Sequence, residues 1–245
     1  MTNIMLGRGP VVGLSAAGGG TPAPAAGFVQ MLGHAYTTAA TTTLVIPIAA
    51  NTSPGNTVIV VGYSYDKTPS TNVRLTYAKD SLHTFTPKGH YEIINEGPIG
   101  SSNTMWAASM VQPKPALKSG DTITCKMTLT ISAHAYWVAG LVAEYAGLGP
   151  LTNQRAAVYN QGSTTLKCPR YATLSICILV GGAGPGRSPT GAWTVRSRYT
   201  FVPPSLTYTN QLVWADRELV TTTTQLAPVI WTATGFTLSA AWWTT

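Results

Sequence analysis

Charge is the scarcest feature of this chain. Asp, Glu, Lys and Arg make up 9% of its 245 residues, against about 25% in an ordinary soluble domain. Acids number eight, and no charged residue occurs between Arg8 and Asp66. A monomer wetted on all sides normally covers itself with Lys and Glu. A chain without them is expected to hide much of its exterior against neighbouring subunits.

Cysteine is scarce too. Cys125, Cys168 and Cys177 are odd in number and widely spaced, with no CxxC pair. Neither a disulfide framework nor a zinc site is expected from them. Each sits in an apolar or Thr-rich strand pattern and reads as a small buried hydrophobe, which fits assembly in a reducing cytoplasm. No run of 18 apolar residues is present, so no transmembrane helix and no membrane insertion are expected. Arg8 is followed by Gly, Pro and Ala rather than a Leu-rich core, so no signal peptide is expected. No amphipathic helical period and no internal repeat stand out.

Catalytic patterns are thin. Glu92 and Glu96 lie in a loop-like stretch around Asn95-Glu96-Gly97-Pro98. Asp216 and Glu218 flank Arg217 on a strand and share one face. Both pairs read as solvated surface, with a cation site or glycosidase pair as the sharper alternative. His34, His83, His90 and His134 are scattered; His83 and His90 flank a turn but lack a third ligand. No GxSxG elbow occurs. Gly181 to Arg187 is Gly-rich but lacks the Lys-Ser/Thr ending of a phosphate loop, and no helix pattern follows; it reads as a surface loop. No enzyme, cofactor or metal site is expected. The net charge of +7 raises the question of nucleic acid. The basic residues do not run together, Arg187, Arg196 and Arg198 being the tightest group, so no nucleic-acid partner is expected.

What fills the chain instead is Thr, Ser, Gly, Pro and 44% apolar residues. Residues 1–27 are Gly/Ala/Pro-rich without a period, which reads as an arm. Solvated tails are usually charged, but this one carries Ile4, Met5, Leu6, Val11, Val12 and Leu14 around a single Arg8. It is expected to anchor along a partner by strand addition or groove docking, the alternative being an arm folded back on its own domain. Residues 28–245 read as a β-sandwich. Thr41–Ile48, Thr57–Tyr65, Val73–Ala78, Met105–Val111 and Thr122–Ser132 are β-branched or alternating. Tyr136–Tyr145 and Leu174–Val180 are apolar enough to be buried on both faces. Later strands fall at Trp193–Phe201, Gln211–Leu219, Gln225–Thr232 and Phe236–Trp243. Turn residues about every ten positions favour a sandwich or barrel. The fold class read from this is all-β: a jelly-roll-like antiparallel β-sandwich with an extended N-terminal arm.

Two further features stand out. Glu144 lies inside an apolar run, where a carboxylate needs donors; backbone amides of a neighbouring loop, or an Arg, are the expected partners. The aromatics Trp193, Tyr199, Tyr208 and Trp214 are candidates for stacking on a glycan, or else for core and interface packing. Trp242 and Trp243 put one ring on each side of a strand, which fits an inter-subunit contact.

Five segments form a pattern. Gly55-Asn56-Thr57-Val58-Ile59-Val60-Val61 opens a strand, and Lys79-Asp80-Ser81-Leu82-His83-Thr84-Phe85 follows. Met105-Trp106-Ala107-Ala108 precedes Leu117-Lys118-Ser119-Gly120-Asp121-Thr122-Ile123-Thr124, and Val142-Ala143-Glu144-Tyr145-Ala146-Gly147-Leu148 closes the unit. Over residues 55–150 this resembles a β-sandwich module of actinobacteriophage minor tail proteins and related bacterial surface proteins. One departure is Leu82-His83, where that family usually has Gly-Asn, so this turn must differ. The resemblance implies a virion component without saying which part of the virion. Taken with the sparse charge and the arm, the expectation is a minor tail protein at or near the tail tip, assembled in the host cytoplasm and packed with other tail or capsid subunits as a homo-oligomer such as a trimer. A capsid decoration protein is the alternative within this class. A carbohydrate-binding module for a host-surface glycan is the alternative from another class.

Overall fold

The computed structural model describes residues 27–39, 41–66, 73–94, 102–129, 137–159, 163–168, 174–182, 193–202, 209–218, 225–230 and 237–244. All regular structure among them is strand. The arm residues Ile4, Met5, Leu6, Arg8, Val11, Val12 and Leu14 lie outside the described residues, as does Tyr208.

Eight strands form the first unit: β1 (Gly27–Tyr36), β2 (Thr43–Pro47), β3 (Thr57–Asp66), β4 (Val73–Lys79), β5 (Thr84–Ile94), β6 (Ser102–Val111), β7 (Thr122–Leu129) and β8 (Trp137–Ala146). They pair antiparallel in the order β1-β8-β3-β6-β5-β4-β7-β2. The pairs β1/β8, β2/β7, β3/β6 and β4/β5 are those of one long hairpin rolled on itself, which is the jelly-roll topology. The free edges, β1 and β2, nearly meet: the Ala49 N–H, just past β2, donates to the Leu32 carbonyl of β1 at 2.7 Å. Rolling removes most of the exposed edge that a flat sheet would offer for aggregation.

The alternation of each strand sorts its residues between two cores. Val58, Val60, Trp106, Ala108, Val138 and Val142 fill the interior of the roll with Leu44, Ile46, Phe85, Ile123 and Met127. Their neighbours Ile59, Val61, Met105, Ala107, Leu141 and Ala143 face outward into a second core. That outer face is covered by a five-stranded antiparallel sheet from the C-terminal part of the chain. It comprises β9 (Leu151–Tyr159), β11 (Leu174–Gly182), β12 (Thr194–Phe201), β13 (Asn210–Glu218) and β15 (Thr237–Thr244), in the order β12-β13-β11-β15-β9. β10 (Ser163–Cys168) pairs with β14 (Gln225–Ile230) beside it. Phe201, Leu212, Trp214 and Leu151 close the second core. β3 and β8 are thus covered on both faces, which is why their sequences are apolar almost throughout. Each fully buried Val, Leu, Ile or Phe contributes about 1.5–3 kcal/mol relative to exposure.

Small residues in this wall have a steric reason. Gly62 stands opposite Trp106 on β6. A Cβ there would lie 2.2 Å from the Trp106 ring and 2.6 Å from the Ala139 carbonyl oxygen. The missing side chain is what lets the indole lie across β3, with its Nε1–H donating to Ser64 Oγ at 3.0 Å.

Two sequence readings are corrected. Glu92 is in β5, opposite Thr104, rather than in a loop; Pro87, Gly89 and two charged residues blurred the strand signal. β13 is a strand as read, but Asp216 on it is buried rather than solvated, because Tyr145 and Arg196 give its carboxylate partners. β9 and β10 had no clear signal in the sequence.

Candidate functional site

The polar residues of the resembling segments meet at one rim of the roll. Glu144, with 0% exposure, enters from β8. Its Oε1 accepts the Ser53 N–H at 2.6 Å and the Asn56 side-chain amide at 2.7 Å. Its Oε2 accepts the Gln30 side-chain amide at 2.7 Å. A loop amide was the partner expected; the two side-chain amides, 88 and 114 residues away in sequence, carried no local signal. The same Gln30 amide donates to the Asn51 carbonyl at 2.9 Å, tying β1 to the β2–β3 loop.

Around this carboxylate the loops lock together. Gly120 has φ of 94°, a left-handed conformation that glycine adopts without strain. It forms a tight turn in which Asp121 Oδ2 accepts the Lys118 N–H at 2.7 Å. The Ser119 N–H donates to Asn51 Oδ1 at 2.8 Å, and the Leu117 N–H to Thr52 Oγ1 at 2.9 Å. Thr57 Oγ1 donates to the Leu148 carbonyl at 2.5 Å. The three segments around Asn56, Asp121 and Glu144 are therefore one interlocked rim. Glu144 is thus held by three N–H donors, from Ser53, Asn56 and Gln30.

Because strand residues alternate, Tyr145 points the opposite way from Glu144, into the second core. Its hydroxyl donates to Asp216 Oδ2 at 2.9 Å and accepts the Trp214 Nε1–H at 2.8 Å. Arg196 Nε donates to the same Asp216 oxygen at 2.8 Å, and its guanidinium lies 4.7 Å from the Phe28 ring centre. Burial, then the Asp216 charge, pushes the Tyr145 hydroxyl well above its ordinary pKa. Adjacent residues of β8 thus fasten the strand in opposite directions, Glu144 to the rim and Tyr145 to the C-terminal sheet. The sequence reading missed Tyr145; the signal was a polar-tipped residue beside Glu144 in an apolar strand.

The β4–β5 turn carries Leu82-His83. Asp80 Oδ1 accepts the Leu82 and His83 N–H groups at 2.7 and 2.5 Å, and Asp80 Oδ2 is 2.7 Å from His83 Nδ1. Burial alone would raise the Asp80 pKa, but the His83 ring and the two amides outweigh it and hold the carboxyl low. His83 Nε2 is buried without a partner. No hydroxyl or thiol bonds it, so the pair is not a catalytic triad. His83 bonds Asp80; the His90 backbone sits on β5, and its side chain lies outside the described residues. Cys125 is a free buried thiol, its pKa pushed up to about 12 by burial, which makes it unreactive. Among the described residues, no three His, Cys, Asp or Glu side chains group as metal ligands.

The aromatic candidates are placed as follows. Trp214 is fully buried between the two sheets, stacked 6.2 Å from Tyr145. Trp193 is also buried, at 7% exposure. Both rings are buried, the core-packing alternative of the sequence reading, and Trp214 belongs to the second core. Tyr199 is half-buried, with its ring centre 4.1 Å from that of His34 and 5.7 Å from that of Phe201. Its neighbours occupy the ring, so it offers no open platform. Trp242 and Trp243 are successive residues of β15, an inner strand between β11 and β9.

Comparison with protein-family models, with characterised proteins and with solved structures finds no match to this chain.

Proposed function

We propose that this chain is a structural subunit of a bacteriophage virion: a minor tail protein at or near the tail tip, held by its N-terminal arm and by packing of its β-sandwich. The observation that carries the reading is the rim. The segments that resemble the phage module fall on a single jelly roll, and their polar residues Asn56, Asp121 and Glu144 hold its loops together. Jelly rolls build viral shells and also lectin domains, so the fold alone does not choose between them. Two observations favour the structural role. The side chains with chemical potential, Glu144, Tyr145 and Asp216, are buried and bonded within the protein. The scarcity of charge leaves an exterior suited to packing. A decoration subunit on a capsid is a second reading of the same features. The glycan-binding reading loses two of its rings, since Trp193 and Trp214 belong to the core.

The test is incorporation. In particles of a phage that encodes this chain, the full-length protein should copurify with the virion at a fixed stoichiometry, and a variant lacking residues 2–27 should not. An expressed, folded full-length chain that is absent from purified particles would refute the reading.

A further inference from the structure

The basic residues are scattered in sequence, but the roll gathers three of them on one wall. The outward face of β4, β7 and β2 carries Arg74 opposite Thr128, Lys79 opposite Thr124, and Lys126 between Tyr77 and Thr43. Lys79 and Lys126 are diagonal neighbours, which on paired strands lie roughly 7–8 Å apart, and Arg74 lies on the same face beyond the bulge at Leu75/Tyr77. Lys126 Nζ is oriented by Thr42 and Thr43 hydroxyls at 2.7 and 3.2 Å. The remainder of the wall is rich in Thr hydroxyls, Thr76 bonding Thr128 among them.

Among the described residues, no acid balances this charge. Four acids have described side chains, and all are engaged elsewhere: Asp80 with His83, Asp121 with the Lys118 amide, Glu144 at the rim and Asp216 in the second core. Among the described residues the ion pairs are His83–Asp80 and Arg196–Asp216, and neither includes a cation of this wall. A second copy, with the same net charge of +7, is a poor partner for it.

We propose that this wall binds a flexible polyol-phosphate polymer, its phosphates seated on Arg74, Lys79 and Lys126 and its hydroxyls on the intervening threonines. The shape favours this polyanion over nucleic acid. Single strands bind through stacking platforms, but Tyr77, the aromatic ring on this wall among the described residues, is covered by the Lys79 ammonium at 4.9 Å. Duplex DNA is stiff over about 150 base pairs and meets the convex outside of a barrel only along a short tangent. A flexible chain can drape over it. The inference does not rest on the virion reading, because the wall is the same on a free chain.

The experiment is equilibrium binding of the full chain to poly(glycerol phosphate), with oligothymidylate of equal phosphate number, a DNA duplex and polyglutamate as parallel probes. Binding to poly(glycerol phosphate) is expected to be the tightest. Its log K should fall against log salt with a slope of roughly −2, as three phosphate contacts imply at about −0.7 each. The variant R74Q/K79Q/K126Q should bind at least about tenfold more weakly. No binding at low salt, unchanged binding by the variant, or equal binding of any other probe overturns the proposal. Should the variant fail to fold, acetylation footprinting of the unaltered protein decides. Bound polymer should protect Lys79 and Lys126 but not Lys118 on the rim, and equal labelling of the three overturns the proposal.

Discussion

Replacing Glu144 by alanine removes the acceptor shared by Gln30, Ser53 and Asn56. The Gln30 amide keeps the Asn51 carbonyl, so the loss falls on the Ser53 N–H and the buried Asn56 amide. A hydrogen bond to a charged group is worth about 1.5–3 kcal/mol net, and a buried donor left unpaired costs about 1–3 kcal/mol. Allowing for relaxation of the loop, E144A is expected to cost roughly 3–5 kcal/mol. For a chain of this size, about 2–4 °C per kcal/mol turns that into a fall in Tm of roughly 10 °C. E144Q retains an acceptor oxygen and should cost about half as much. Both are measured by thermal and urea unfolding at one fixed protein concentration, since assembly would otherwise shift the midpoint. If E144A unfolded within about 1 kcal/mol of the parent, Glu144 would not be the keystone of the rim, and a chemical role for it would have to be reconsidered.

Other consequences are as direct. G62A forces a methyl against the Trp106 ring and should destabilise by about 1–3 kcal/mol or more; G62A combined with W106L should lose less than the sum of the two single variants in the same unfolding assay. At alkaline pH, Cys125 and Tyr145 have folded pKa values above their ordinary 9.0 and 10.0. Their contribution is complete below those values and is lost as pH rises. Stability should decline from pH 9.0 upward, by up to about 1.4 kcal/mol per pH unit for each group. C125A should delay the onset to near pH 10.0, and an unchanged onset would refute the assignment. At acid pH the sign reverses. The Asp80 carboxyl is held below its ordinary 3.8, so its stabilising effect is present above that value and lost as pH falls through the folded pKa. D80N should therefore flatten the acid limb of a stability–pH curve, and an acid limb identical to the parent's would count against the turn's role.

Much of the roll was legible because its physics is local. β3, β7 and β8 announce themselves by β-branched, alternating or apolar residues, and the nearly all-apolar run of β8, broken by Glu144, correctly implied cover on both faces. β5 was half lost, because Pro87, Gly89 and Glu92 look like loop residues until the pairing with β6 is known. The partners of Glu144 were legible in kind, since a buried carboxylate must find donors, but not in identity. Asp216 was misread for the same reason: nothing near it in sequence reveals that Tyr145, 71 residues away, reaches it across two sheets. The basic wall leaves no run of charge in the sequence, because strand pairing brings Arg74 and Lys79 beside Lys126.

The central claim is that so sparsely charged a jelly roll is built to be covered by other subunits. Sedimentation equilibrium of the purified full chain over a wide concentration range tests it most directly. The account predicts a discrete multiple of 25.8 kDa; a single 25.8 kDa species at every concentration would contradict it.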